Sequence, residues 1–226
     1  KGNVTRGIHY HEVFSPSPVQ HSERLLQAMM VNYHLHNLAW DIKQAYTWAP
    51  LPKGERVAVI YPDGFKRTNK KGEELFLVLE ANLYGMPSAS RGWGKHRDKF
   101  ILERFNAEGW SCTRCRMDPC LFVIDKHKGP KSPTPLEYPN HDSPLPEGID
   151  RSWVLIHTDD CDAYGTSLEV LKEINAIMDK EWATELVDRS FILGVKRDLV
   201  TSDPKGWHVT LTMTSFIEDL ASLFKE

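Results

Sequence analysis

The chain has 226 residues, of which 41% are hydrophobic and 26% charged, and this composition is typical of one large or two small globular domains. The formal net charge of −3 excludes a protein that coats nucleic acid through bulk positive charge. Its longest apolar runs, such as Trp153–Ile156, are too short to cross a bilayer, and four cysteines are too few for a disulfide scaffold.

The first half of the chain alternates helical and strand patterns. Apolar residues spaced three and four apart predict a helix with Ser22 as its N-cap. A short apolar run predicts a strand over 36–41, and a strand pair is predicted at Val57–Tyr61 and Leu75–Glu80. Ser88–Glu108 is predicted to form a longer helix with its aromatic residues facing inward.

The second half begins with two β-rich segments, Cys120–Asp125 and Trp153–Thr158. The intervening prolines predict an irregular loop insertion over 127–150. The remaining predicted elements are a helix from Thr166 to Ala183 capped by Thr166 and Glu169, strands at Phe191–Leu199 and Trp207–Met213, and a last helix from near Ser215. This irregular order favours an α+β fold, with helices packed on one face of a sheet.

Three aspartates stand at the ends of predicted strands. Asp159 and Asp160 interrupt an apolar segment that resumes at Ala163, which predicts a hairpin with an acidic tip. Alone, this pair is most simply a solvated turn. Asp41 also ends an apolar strand, and two or three carboxylates at neighbouring strand ends are the donors that paired Mg²⁺ ions require.

Short motifs follow one another along almost the whole chain. They are Arg6–Tyr10 with Glu12–Pro16, Asp41–Tyr46, Tyr61–Phe65, Leu83–Trp93, Asp118–Phe122, Thr158–Asp160 and Phe191–Gly194. In this order they resemble the reverse transcriptases of copia-type LTR retrotransposons. The resemblance implies a palm, which is a ferredoxin- or RRM-like antiparallel sheet with helices on one face, plus partial fingers. It places one domain fragment over 1–226, with the start of the thumb at 214–226.

The resemblance also implies an RNA-directed DNA polymerase that transfers a nucleotide from dNTP to a primer 3′-hydroxyl with two metal ions. Asp41, Asp159 and Asp160 would be the catalytic acids. Together with the backbone carbonyl of Ile42 they would bind Mg²⁺, for which Mn²⁺ could substitute.

Further residues receive nucleotide and nucleic-acid roles from the same resemblance. The ring of Tyr46 would lie under the sugar and exclude a 2′-hydroxyl, although the residue pattern alone favours a core aromatic. Gly85, Ser88 and Arg91 would contact the nucleotide. The resemblance assigns nucleic-acid contacts to Lys95 and His157, while basic residues in this helix are, taken alone, most simply a solvated face.

Three positions depart from the pattern of this family. His157 and Thr158 replace a usual Tyr-Val, while Ser88 and Met213 each replace a usual Gln. Serine is too short to contact the nucleotide as Gln does, which lowers the expected nucleotide affinity. These departures keep a second interpretation open, an inactive retrotransposon-derived remnant that only binds nucleic acid or a protein partner.

The expected partners are an RNA template, a DNA primer, dNTP and the rest of a Pol polyprotein, including integrase and RNase H, with no membrane. The expected location is the cytoplasm, within the virus-like particle of the element, or the nucleus. The absence of an initiator Met suggests a piece of a longer protein.

A zinc site is the weaker metal alternative. Cys112, Cys115, Cys120 and His127 are spaced C-x₂-C-x₄-C-x₆-H, and thiolates at close spacing suit Zn²⁺. The spacing matches none of the familiar zinc motifs, and Cys120 falls in an apolar strand where a buried free thiol is common.

Overall fold

The structure is a computed structural model that describes residues 13–129, 148–188, 190–192, 195–203 and 206–223. Two compact units divide the chain. The larger unit comprises Ser17–Lys43 and Leu102–Glu226, and the smaller unit comprises Lys1–Pro16 and Gln44–Ile101. Within the described ranges, no helix is long and apolar enough to span a membrane.

The described elements alternate irregularly, as the sequence predicts for an α+β fold. In chain order they are α1 (Gln20–Tyr33), β1 (His36–Ile42), α2 (Ala45–Trp48), β2 (Val57–Ile60), β3 (Phe76–Leu79), α3 (Ala89–Ala107), β4 (Ser111–Arg114), β5 (Leu121–His127), β6 (Ile149–His157), β7 (Asp160–Gly165), α4 (Leu168–Trp182), β8 (Thr184–Leu186), β9 (Phe191–Ile192), β10 (Val195–Val200), β11 (His208–Thr212) and α5 (Thr214–Ser222).

The larger unit contains a six-stranded antiparallel sheet in the order β4-β5-β6-β7-β1-β8. Strands β6 and β7 form a hairpin, and β1, which comes much earlier in the chain, pairs with the outer side of β7. The central strands are buried on both faces, because β6 carries five consecutive buried residues, Ser152–Ile156. Such continuous apolar runs are typical of strands that are covered on both sides.

A helix covers each face of this sheet, which corrects the prediction of helices on one face. Leu26 and Met30 of α1 pack in one core cluster with Trp153 and Tyr164, which lie opposite each other on β6 and β7. Helix α4 packs on the other face, where a Cβ atom added to Gly165 would lie 3.0 Å from a side-chain carbon of Leu171. Two-sided burial requires this second layer.

Helix α4 follows the predicted apolar periodicity but has a different cap. Its buried residues are Val170, Leu171, Ile174, Met178 and Trp182. Ser167, rather than Thr166, is the N-cap and accepts a hydrogen bond from the amide of Val170. The hydroxyl of Thr166 instead accepts from the amide of Arg151, because this residue still belongs to the loop beside β6.

The other helix and strand predictions have smaller errors. Helix α1 begins after Val19, so Ser22 lies inside it and is not the N-cap. The strand predicted at Phe191–Leu199 is divided into β9 and β10, which pair with each other, and β11 pairs with the other edge of β10. The insertion predicted at 127–150 falls largely on 130–147, outside the described residues, and His127 and Ile149 belong to strands β5 and β6.

The smaller unit contains the β2–β3 hairpin, α2 and the first part of α3. Asn82 joins its segments, since its side-chain amide donates to the carbonyls of Ala49 at 2.9 Å and Pro50 at 3.3 Å. Gly92 packs so closely on this side chain that an added Cβ atom would lie 2.9 Å from the Asn82 amide nitrogen. Asn82 therefore fixes the loop before α3 to the segment after α2.

Candidate functional site

The sheet register brings the predicted acids of the larger unit together. Asp41 near the end of β1 lies directly opposite Asp160 at the start of β7. On its other side Asp41 faces Glu185 of β8. Asp159 immediately precedes Asp160 in the β6–β7 turn. Directly opposite residues in an antiparallel pair have Cβ atoms about 5 Å apart, so these carboxylates interact.

The turn that carries Asp159 is tight and strained. His157 pairs with Asp160, so Thr158 and Asp159 form a two-residue loop. Thr158 has a φ of +57°, which a β-branched residue rarely adopts. The Asp159 carbonyl accepts a 2.9 Å hydrogen bond from the amide of Ile42. This bond holds the acidic turn against the strand end that carries Asp41. The strained backbone of Thr158 is of a kind that is typical of functional sites.

The carboxylates repel each other. Burial raises the pKa of Asp41, and the negative charges of Asp159, Asp160 and Glu185 raise it further. Burial and the charge of Asp159 likewise raise the pKa of Asp160, while His157 opposes this effect. Lys43 offsets little of the negative charge of these carboxylates, because its amine pairs at 2.9 Å with Glu185. This end of the sheet has unbalanced negative charge.

The candidate ligands of both predicted metal sites lie in the described part of the chain. The described residues contain no group of three His, Cys, Asp or Glu side chains arranged to hold an ion. Burial raises the pKa of the Cys112 thiol to about 12, so this thiol stays protonated while no metal is bound. All four cysteines lie in the described part of the chain, and none of them forms a disulfide bond.

The predicted nucleotide contacts Tyr46, Gly85, Ser88 and Arg91 belong to the smaller unit, as does Lys95. The half-buried ring of Tyr46 lies against that of Tyr84, with centroids 4.6 Å apart and planes inclined by 49°. Gly85 follows this ring with a φ of +87°, a conformation that glycine adopts readily. The tyrosine pair and the glycine thus form one local surface.

The other predicted contacts of the smaller unit lie on or just before α3. The Ser88 hydroxyl lies 3.5 Å from the side-chain oxygen of Asn82, at the limit of a hydrogen bond. Arg91 is half-buried and Lys95 is exposed, one helical turn later. His157 belongs to the larger unit and is half-buried at the end of β6.

Sequence reasoning missed a buried polar cluster behind the acidic turn. Asp162 of β7 accepts hydrogen bonds from Tyr164, Asn37 and Arg197 at 2.6–2.7 Å. One available signal was an aspartate in the middle of an apolar strand, since this residue is depleted in strands. Its partner Arg197 is 35 positions away, and no local pattern connects the two residues.

Comparison with known proteins finds a family match for the N-terminal part of the chain. Residues 2–112 match the family described as Reverse transcriptase (RNA-dependent DNA polymerase). The chain is also 27% identical over 117 residues to the Retrovirus-related Pol polyprotein from transposon TNT 1-94 of Nicotiana tabacum. That alignment covers 52% of this chain and 8% of the polyprotein. No solved structure matches the chain.

The two matches confirm the resemblance to copia-type reverse transcriptases. The family match includes Asp41, Tyr46 and the predicted nucleotide contacts up to Lys95. It ends before Asp159 and Asp160, whose predicted roles rest on the motif order in the sequence and on their position beside Asp41.

Proposed function

Because the chain resembles copia-type reverse transcriptases, we propose that it is the palm, with part of the fingers, of an RNA-directed DNA polymerase. The reaction is attack of a primer 3′-hydroxyl on the α-phosphate of a deoxynucleotide, with release of pyrophosphate. One observation carries the proposal: Asp41 and Asp160 are direct cross-strand partners, with Asp159 in the adjoining turn.

The chemistry of these donors fits Mg²⁺, with Mn²⁺ as a substitute. Carboxylate oxygens are the ligands that hard divalent cations prefer, and the raised pKa values of Asp41 and Asp160 reflect, after burial, the negative charges of neighbouring carboxylates. Asp41, Asp159, Asp160 and the carbonyl of Ile42 would hold the ions. When bound, they neutralise charge on the phosphates and lower the pKa of the primer hydroxyl.

The contribution of the protein itself is to hold the acids in position. The hydrogen bond from the Ile42 amide to the Asp159 carbonyl fixes the turn against β1, so both strand ends present their acids together. His157, opposite Asp160, would contact the primer end. Preorganised charge of this kind lowers the barrier because it need not be rearranged during the reaction.

The smaller unit would supply the nucleotide contacts. Packing against Tyr84 restricts the Tyr46 ring, and a fixed ring can exclude a 2′-hydroxyl. Gly85 permits close backbone approach, while Arg91 and Lys95 would meet phosphates. Ser88 would contribute little because its side chain is short and lies near Asn82.

The proposed partners follow from this activity. They are an RNA template, a DNA primer, dNTP and the remainder of a Pol polyprotein with integrase and RNase H. The proposed location is the virus-like particle in the cytoplasm, or the nucleus.

The second candidate is an inactive remnant that binds only nucleic acid or a protein partner. Two observations favour it: the described residues contain no group of three His, Cys, Asp or Glu side chains arranged to hold one ion, and Ser88 and His157 depart from the family pattern. An inactive remnant would keep the fold without any response of the acidic turn to divalent ions.

Primer extension on an RNA template separates the two candidates. The assay uses the chain within the longer polyprotein segment to which it belongs, with Mg²⁺ and dNTP. Asp159→Asn should lower extension by orders of magnitude, whereas the exposed Asp63→Asn should leave it unchanged. Equal extension by the wild type and Asp159→Asn, with both proteins folded, would refute the proposed chemistry.

A further inference from the structure

A buried ionic cluster lies directly behind the acidic turn. The Arg197 guanidinium donates to the Asp162 carboxylate at 2.7 Å and to the Tyr164 hydroxyl at 2.5 Å. Tyr164 donates to the same carboxylate oxygen at 2.6 Å. Asn37 donates to the other carboxylate oxygen at 2.7 Å and to the carbonyl of Ala163 at 3.0 Å. Both oxygens of Asp162 are thus engaged.

The cluster is almost completely shielded from water. Asp162 is 4% exposed, Arg197 is 5% exposed and Tyr164 is fully buried. Burial and the nearby negative charge of Asp162 raise the pKa of Tyr164 well above its ordinary value, so the phenol stays protonated and donates. A buried carboxylate and guanidinium each lose their hydration, and each therefore depends on the other.

The register connects this cluster to the candidate metal ligands. Asp162 and Asp160 are two residues apart on β7, so their side chains lie on one face of the sheet. On β1 the cross-strand partners of that face are Asn37, Ala39 and Asp41, which lie opposite Tyr164, Asp162 and Asp160. The cluster therefore holds the same two strands whose ends carry the acids.

Arg197 comes from a different sheet. It lies on β10, and its own amide donates to the carbonyl of Ser190 at 2.6 Å. A cavity of about 290 Å³ borders Arg197 and Asn37. The ion pair joins β10 to β7, and Leu199 of β10 packs against the core cluster that contains Tyr164.

We propose that Arg197 is a positioning residue that clamps β10 onto Asp162 and Tyr164 and thereby fixes the acidic β6–β7 turn relative to Asp41. The expected effect on catalysis rests on the proposed function, whereas the effect on the position of the β6–β7 turn does not. Loss of the clamp loosens β7 against β1, and the Ile42–Asp159 hydrogen bond at the end of the same strand pair opens more often.

Hydrogen exchange of this 226-residue chain tests the clamp. Arg197→Met should accelerate exchange of the Ile42 amide about tenfold. In Arg197→Lys the exchange rate of this amide should stay within about threefold of the wild-type rate. Arg151→Met is the matched control, because Arg151 makes a similar buried pair with Asp125 through two 2.8 Å bonds on β5 and β6. The control should change exchange at Ile42 less than about twofold.

The clamp is disproved if Arg197→Met leaves Ile42 exchange unchanged, or if Arg151→Met accelerates it equally. Should Arg197→Met fail to fold, Asp162→Asn combined with Arg197→Met removes the unpaired buried charge and still lacks the clamp. The double variant must then show the same acceleration.

Binding of Mn²⁺ separates this inference from the proposed function. A functioning site predicts that Arg197→Met weakens Mn²⁺ binding about tenfold and Arg151→Met does not. If the wild-type chain binds no Mn²⁺ while Arg197→Met still accelerates exchange at Ile42, the clamp stands and the proposed metal chemistry fails.

Discussion

Removing the charge of Asp41 should stabilise the metal-free protein, although the residue is a candidate catalytic acid. Asp41 lies opposite Asp160 on one strand and Glu185 on the other. Two unit charges about 5 Å apart repel by roughly 0.8 kcal/mol in bulk water and by more where solvent is partly excluded. Since Asp41 is half-exposed and Lys43 compensates in part, we expect Asp41→Asn to add about 1 kcal/mol to the free energy of unfolding.

The assay is thermal unfolding in EDTA and in Mg²⁺. For a chain of this size, about 1 kcal/mol corresponds to a rise in Tm of about 2–4 °C. Mg²⁺ should raise the Tm of the wild type and have a smaller effect on Asp41→Asn, because one ligand is gone. Asp179→Asn is a control that should lower the stability instead. Hydrogen bonds from Thr184 lower the pKa of Asp179, so its charge stabilises the fold.

The pH dependence of stability tests independently whether the charge of Asp41 destabilises the fold. The folded pKa of Asp41 is raised above the ordinary 3.8, so the stabilising contribution of the protonated form is complete below 3.8. It is lost as pH rises through the raised pKa. The advantage of Asp41→Asn should therefore be present at neutral pH and vanish in acid. If Asp41→Asn is less stable than the wild type in EDTA at neutral pH, the charge of Asp41 does not destabilise the metal-free fold.

Three further predictions concern packing, strain and thiol reactivity. Gly165→Ala should destabilise the fold by about 1–3 kcal/mol in chemical denaturation, because its Cβ would meet two side-chain atoms at 3.0 Å, whereas Gly129→Ala meets nothing within 4 Å and should be nearly neutral. Thr158→Asn should raise the unfolding free energy by about 1 kcal/mol, since Asn tolerates the left-handed φ of +57°; a loss of stability would show that the turn is not strained. Cys112, with a pKa of about 12, should react with a thiol reagent much more slowly than the half-buried Cys115, and added Zn²⁺ should protect neither residue.

The sequence predicts those elements whose residues repeat at a clear period. Helix α4 is predicted correctly because its apolar face recurs every three or four residues over four turns. The β6–β7 hairpin is predicted because two aspartates interrupt an apolar run. The N-cap of α4 is missed by one residue, since Thr166 and Ser167 both carry a hydroxyl group, and the path of the loop decides which one caps the helix.

Long-range pairing lies beyond this kind of prediction. Strand β8 has three residues, Thr184–Leu186, and it is a strand because it pairs with β1. The alignment of Asp41 with Asp160 depends on the register between strands more than a hundred residues apart, which spacing along the chain does not determine. The partnership of Asp162 with Arg197 is similarly a property of the folded core.

Direct measurement of Mn²⁺ binding to the 226-residue chain tests whether Asp41, Asp159 and Asp160 form a divalent-metal site. Electron paramagnetic resonance counts free Mn²⁺ during titration of the wild type, Asp159→Asn and Asp63→Asn. We expect Mn²⁺ binding by the wild type and Asp63→Asn, and binding weakened at least about tenfold in Asp159→Asn. Equal binding by all three proteins, or none by the wild type, would contradict this expectation.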